Sequence, residues 1–134
     1  MQLLIAYGLT ITGFLAIDAV WLTTMTGAFY KPRLGALLLD KPDLLTAFGF
    51  YLLYCVGILG LAVRPALQSG EWTDALWRGA LLGLVAYGTY DLTNQATLKG
   101  WSVELTIVDM IWGTVLTGAA ASFATVATRW LTKA

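Results

Sequence analysis

Three aspartates, Asp18, Asp91 and Asp109, lie inside segments of the chain that are otherwise strongly apolar. An ionised carboxylate is costly in hydrocarbon, so acids within a membrane usually face the interior of a helix bundle and mark a site. Converging carboxylates support three kinds of chemistry: binding a cation, relaying a proton, or acting as general acid and base. Because closely spaced carboxylates cannot all carry charge cheaply, we expect at least one to be protonated near neutrality unless a cation is bound.

Aromatic and amide side chains recur around these acids at helical spacing. Tyr87, Asp91 and Asn94 share one stripe, and the pattern Asp-x-x-Trp begins at both Asp18 and Asp109. Tyrosine, tryptophan and asparagine can donate hydrogen bonds to carboxylates and so reduce the cost of burying them. Structural hydrogen bonding, or the gathering of aromatic residues at membrane interfaces, is the alternative explanation. The predicted ligand- or proton-binding site comprises Asp18, Trp21, Tyr51, Tyr54, Tyr87, Tyr90, Asp91, Asn94, Asp109 and Trp112.

The composition predicts a membrane protein. Of the residues, 58% are hydrophobic and 12% are charged, whereas a soluble domain is about half apolar and about a quarter charged. Eight basic and eight acidic residues cancel, and no basic run indicates a nucleic-acid partner. Histidine is absent and Cys55 is the single cysteine, so we predict no metal site and no cofactor. An all-oxygen site would in any case favour hard cations over zinc or copper.

Four segments are long and apolar enough to cross a bilayer, which takes roughly 20 residues. They cover residues 3–24, 44–63, 75–98 and 103–128, so we predict an all-α integral membrane four-helix bundle forming one transmembrane domain over residues 1–134. The second segment should stop at Arg64-Pro65, because proline cannot continue a helix. Asp43, Thr73 and Ser102 are expected to cap the second, third and fourth helices.

These helices should bring the three acids to one level. Asp18 lies about 15 residues into the first helix and Asp91 about 16 residues into the third, so both are roughly 23 Å from the side that holds the N-terminus. Asp109 lies only about 6 residues below the opposite side, roughly 9 Å down the fourth helix. Three helices therefore contribute an acid to the same layer of the bundle.

Two further patterns concern packing. Within residues 27–42, leucines recur at helical spacing beside basic residues, which indicates a short helix lying in the membrane interface between the first and second helices. This segment either caps the bundle or is a plain amphipathic connector. Gly79 and Gly83 form a GxxxG pattern that allows close helix approach. We expect this pattern to pack inside the bundle rather than to form a dimer face.

The basic residues do not orient the chain. Under the positive-inside rule the side richer in lysine and arginine faces the cytoplasm, and here the two sides tie. Such a tie permits insertion in both directions and an antiparallel homodimer. One side holds Arg64, Arg78, Arg129 and Lys133, and the other holds Lys31, Arg33, Lys41 and Lys99.

Several local sequences, at residues 29–31, 50–54, 64–67, 90–101 and 108–114, carry a resemblance to a known family. Over nearly its whole length the chain resembles a family of small bacterial four-helix membrane proteins known only as a domain of unknown function. The resemblance implies a bacterial cytoplasmic membrane location and four spans, with the lipid bilayer as surroundings. It brings no activity to carry over.

Three functions follow from these patterns. The first is a protein that binds or transports a small cationic or proton-coupled solute; its size is similar to that of the small multidrug-resistance transporters, which rely chiefly on one acid in the first helix. The second is a cofactor-free enzyme that uses the aspartates as acid and base on a lipid or isoprenoid ligand. The third is an accessory subunit of a membrane complex, in which the acids serve helix association.

Overall fold

The computed structural model describes residues 1–39 and 41–133, and all of its regular structure is helical. Asp40, in the predicted connector, and Ala134, at the end of the predicted domain, lie outside the described residues. Two π-helical turns, Thr26–Tyr30 and Leu59–Val63, and a 3₁₀ turn, Gly35–Leu37, join or extend the α-helices. The predicted all-α class is confirmed. The helices are α1 (Gln2–Met25), α2 (Lys31–Leu34), α3 (Leu44–Ile58), α4 (Arg64–Ser69), α5 (Trp72–Thr97) and α6 (Val103–Thr132).

Several helical stretches can cross a membrane. Among the described residues, Gln2–Leu37, Leu44–Ser69 and Val103–Thr132 are long and apolar enough by length and composition. Helix α5 has 26 residues, but its polar residues, Asp91 among them, keep it outside that set. The fourth predicted crossing, and the interfacial position of the connector, therefore stay predictions.

The prediction that proline ends the second helix is wrong, because the helix continues through Pro65 to Ser69. The preceding turn is π-helical, and the Arg64 N–H donates to the carbonyl of Leu59, five residues back. Pro65 then occupies the first turn of α4, where its missing N–H is tolerated. Pro32 follows the other π turn in the same way, so α1 and the connector form one continuous helical stretch.

Two of the three predicted helix caps are confirmed. The Asp43 carboxylate accepts from the Thr46 N–H at 3.1 Å, and the Ser102 hydroxyl accepts from the Leu105 N–H at 3.2 Å. Hydrogen bonds from the Thr46 hydroxyl and N–H also hold the pKa of Asp43 below its ordinary value. The prediction for Thr73 is wrong. Helix α5 begins at Trp72 after Glu71, and within the described residues no side chain caps it.

Helices α5 and α6 pack closely because glycines face each other between them. A Cβ atom added at Gly83 would lie 2.1 Å from the carbonyl oxygen of Gly113, and one added at Gly79 would lie 2.8 Å from that of Thr117. The expectation that the GxxxG pattern packs inside the bundle is therefore confirmed. This contact fixes the height at which the next residues of α5, Tyr87 and Asp91, meet α6.

Candidate functional site

A cleft of about 270 Å³ lies at one end of the bundle, where the three aspartates converge. The end of α1, the middle of α3, the later half of α5 and the start of α6 form its walls, and the connector after α1 contributes Thr26, Tyr30 and Leu34. All of the predicted site residues except Tyr54 and Asn94 line this cleft within the described residues. The structure thus brings most of the predicted site residues together. That these residues bind a ligand or a proton stays a prediction.

Asp18 is fully provided with hydrogen-bond donors. Its side chain is only 6% exposed. The Tyr51 hydroxyl donates to Oδ2 at 2.9 Å, and the Trp112 indole N–H donates to Oδ1 at 3.3 Å. A buried carboxylate with donors on both oxygens is stabilised in place. Asp18 therefore ties α1 to α3 and α6.

Asp109 receives one donor from the connector. The Tyr30 hydroxyl donates to Oδ1 of Asp109 at 2.8 Å, and the Trp21 indole N–H donates to the Tyr30 oxygen at 3.0 Å. The rings of Trp21 and Trp112 stack with centroids 4.2 Å apart and planes 7° apart. The two Asp-x-x-Trp patterns are therefore crossed, since each tryptophan serves the acid of the other helix, directly or through Tyr30.

Asp91 lacks such hydrogen-bond donors among the described residues. Its side chain is 0% exposed, and among the described residues neither carboxyl oxygen has a hydrogen-bond partner. The carboxyl group of Asp109 lies close enough to share a hydrogen bond with Asp91 when one of the two carries a proton, and both line the cleft. An unpaired buried polar group is costly. Asp91 therefore requires either a proton of its own or a donor from a molecule in the cleft.

Two predicted site residues lie elsewhere. The Tyr54 hydroxyl is paired with Thr117 Oγ1 at 2.8 Å in the core of the bundle, and its ring packs edge-on against Phe14. Asn94, one turn beyond Asp91, is partly exposed and does not line the cleft in the described structure. Helical spacing predicts Asn94 on the same stripe as Tyr87 and Asp91, but that stripe extends over more turns than one cleft can include.

The sequence prediction missed Tyr30, which donates to Asp109, as well as the other unpredicted lining residues Leu22, Thr26, Leu34, Leu38 and Leu105. Tyr30 follows α1 within the π turn Thr26–Tyr30, so its position around the helix axis departs from the α-helical spacing used to select Trp21. The sequence signal that could have found it is the aromatic pair Phe29-Tyr30 inside a connector otherwise rich in leucine and basic residues.

The cleft carries acidic groups without a basic side chain among the residues that line it. The nearby Arg33 is engaged by Glu104 at the start of α6 and lies over the Phe29 ring at 3.8 Å. Within the described part of the chain, no group of three histidine, cysteine or acidic residues is placed to hold a metal ion.

Comparison with known proteins places the chain in a family. Residues 3–126 match the family described as "Predicted membrane protein (DUF2177)". The chain belongs to this family. The resemblance carried by the sequence motifs is thereby confirmed, and the protein is a membrane protein. No curated protein and no solved structure matches the chain. Family membership supplies the membrane environment and no activity, so function must be argued from the cleft.

Proposed function

We propose that this membrane protein binds a small cationic solute in the cleft and exchanges it against a proton held between Asp91 and Asp109. The observation that carries the proposal is Asp91, a fully buried acid whose two oxygens have no donor among the described residues. A protonated ligand would supply both a charge and hydrogen-bond donors to it. In a low-dielectric surrounding, such an interaction is much stronger than in water.

The aromatic walls support a cation as the ligand. Trp21 and Trp112 line the cleft beside Asp18 with their rings stacked on each other, and an aromatic ring attracts a cation that approaches its free face through the ring quadrupole. Tyr87 lines the same space, and its hydroxyl has no partner among the hydrogen bonds of the described residues. The ligand would therefore find charge, a polar hydroxyl and aromatic surface together. We further propose that the protein acts in the bacterial cytoplasmic membrane, where a proton gradient can drive such an exchange.

The test is proton release on binding. Purified protein in weak buffer with a pH-indicator dye is titrated with butylammonium chloride. We expect wild type to release protons as the ammonium displaces them, and Asp91→Asn to release none. Glu71→Gln, an exposed acid at the far end of α5, is the control and should behave as wild type. Equal proton release by wild type and Asp91→Asn would contradict the proposal.

An enzyme is the second candidate, and a specific contrast favours it. Asp18 has a donor on each oxygen while Asp91 has none within the described residues. Two carboxyl groups in such different environments are the arrangement that acid/base enzymes use. A cofactor-free enzyme acting on a lipid would change the lipid profile of cells that express it. Identical profiles for wild type and Asp91→Asn cells would exclude that function.

A further inference from the structure

A second, apolar groove of about 510 Å³ opens between α3 and α5 on the outer surface of the bundle. It exists because α3 packs on α1 and barely contacts α5. Ala47 and Phe50 form the α3 wall, and Ala86 and Thr89 form the α5 wall. Phe50 remains 52% exposed, so the groove is open to the apolar phase that surrounds the protein.

The groove adjoins the acidic cleft. Tyr51, Tyr87, Tyr90 and Asp109 line both spaces. An elongated molecule could therefore lie in the groove with one end at Asp109 and, beyond it, at Asp91. Each space has a volume on the order of a small-molecule site, which is typically about 300–1,000 Å³.

We propose that the groove and the cleft together bind a single-chain amphiphilic amine, with its alkyl tail in the groove and its protonated amino head between Asp91 and Asp109. This inference rests on the proposed cation site and names its ligand class. Charge complementarity supports it, because no basic side chain lines either space among the described residues. The ligand enters sideways from the bilayer, between α3 and α5.

The head group must carry N–H donors. Both oxygens of Asp91 lack a partner among the described residues, and an ammonium N–H satisfies them. A quaternary ammonium of the same charge would leave them unpaired, which is costly for buried acceptors. The second chemical requirement is the tail, since apolar surface removed from water contributes to affinity in proportion to its area.

Three ligands separate head from tail: decylammonium, decyltrimethylammonium and butylammonium. Binding to purified protein in nonionic detergent is measured by native mass spectrometry across a concentration series. We expect decylammonium to bind at least about tenfold more tightly than either of the others. Asp91→Asn should abolish the preference for decylammonium over decyltrimethylammonium.

The groove is tested by filling it. Ala47→Phe places a ring between α3 and α5, and we expect it to weaken decylammonium binding about tenfold while butylammonium binding is unchanged. Leu45→Phe, on another face of α3 and 85% exposed in wild type, is the matched control and should bind as wild type. Circular dichroism of both variants checks that they fold.

The outcomes separate the two proposals. If butylammonium and decylammonium bind equally and Ala47→Phe has no effect, the tail groove is wrong and the cation site stands. If no ammonium binds wild type, both proposals fail. If Ala47→Phe changes the oligomeric state and not the affinity, the groove is an interface between copies of the chain, and the amphiphile proposal is overturned.

Discussion

The three acids of the cleft are all aspartates, but their side chains have different surroundings. Asp18 accepts from Tyr51 and Trp112, and Asp109 accepts from Tyr30. These bonds connect α1, α3, α6 and the connector, and so they build the cleft. Asp91 accepts from none of the described side chains, although it is the most deeply buried of the three. Asp18 and Asp109 thus connect the walls of the cleft, whereas the Asp91 carboxyl group is available to a ligand.

This difference predicts opposite effects of the same substitution on stability. Asp18→Asn places an amide N–H₂ where two donors converge, so one buried donor loses its acceptor and stability falls by about 1–3 kcal/mol. Asp91→Asn removes an unpaired carboxyl group and offers an N–H to Asp109, so the ligand-free protein should gain about 1 kcal/mol. Thermal unfolding of both variants in the same detergent measures the difference. Comparable losses in the two would contradict the separate roles assigned to these acids.

The helices show which parts of the site the sequence could predict. Regular helical spacing was enough to place Asp18, Asp91 and Asp109 on facing walls, because α1, α5 and α6 are α-helical throughout their lengths. The π turns were not predictable from apolar periodicity, and they carry the chain past Pro32 and Pro65. One of them rotates Tyr30 into the cleft. The misplaced Tyr54 has a different cause, since its partner Thr117 gives a polar hydroxyl a place in the core.

The contact between α5 and α6 predicts a second effect. A Cβ at Gly83 would lie 2.1 Å from the Gly113 carbonyl oxygen, which is backbone and cannot move alone. Gly83→Ala should therefore push the helices apart and destabilise the protein by about 1–3 kcal/mol. It should also weaken ligand binding, because Tyr87 packs directly over Gly113. Unfolding in detergent and butylammonium binding are the two measurements.

Gly57→Ala is the matched control for this substitution. Gly57 lies in α3, and a Cβ there would meet none of the described atoms within 4 Å. Because alanine favours a helix over glycine by about 1 kcal/mol, this variant should be no less stable than wild type. Equal destabilisation by Gly57→Ala and Gly83→Ala would show that loss of glycine itself, rather than the α5–α6 contact, sets the cost.

In the whole molecule the acidic cleft lies at one end of the bundle, so with the four predicted crossings the orientation of the chain in the membrane decides which compartment the cleft serves. The cleft end holds Lys31, Arg33, Lys41 and Lys99, and the other end holds Arg64, Arg78, Arg129 and Lys133. With the two ends balanced in basic residues, the bias that normally orients a membrane protein is absent. We therefore expect both orientations in one membrane, with clefts serving both compartments.

Cysteine labelling tests this expectation. Gln68→Cys, exposed near the end away from the cleft, is combined with Cys55→Ala and labelled on intact bacterial cells with an impermeant maleimide. We expect about half of the protein to react, because neither end dominates insertion.

Adding Glu71→Lys and Thr73→Lys makes the end away from the cleft the more basic one. That end should then stay in the cytoplasm, and labelling should nearly disappear. Glu71→Gln with Thr73→Ser is the control. Complete labelling, or none, before the lysines are added would show a single orientation, and the cleft would then serve one compartment only.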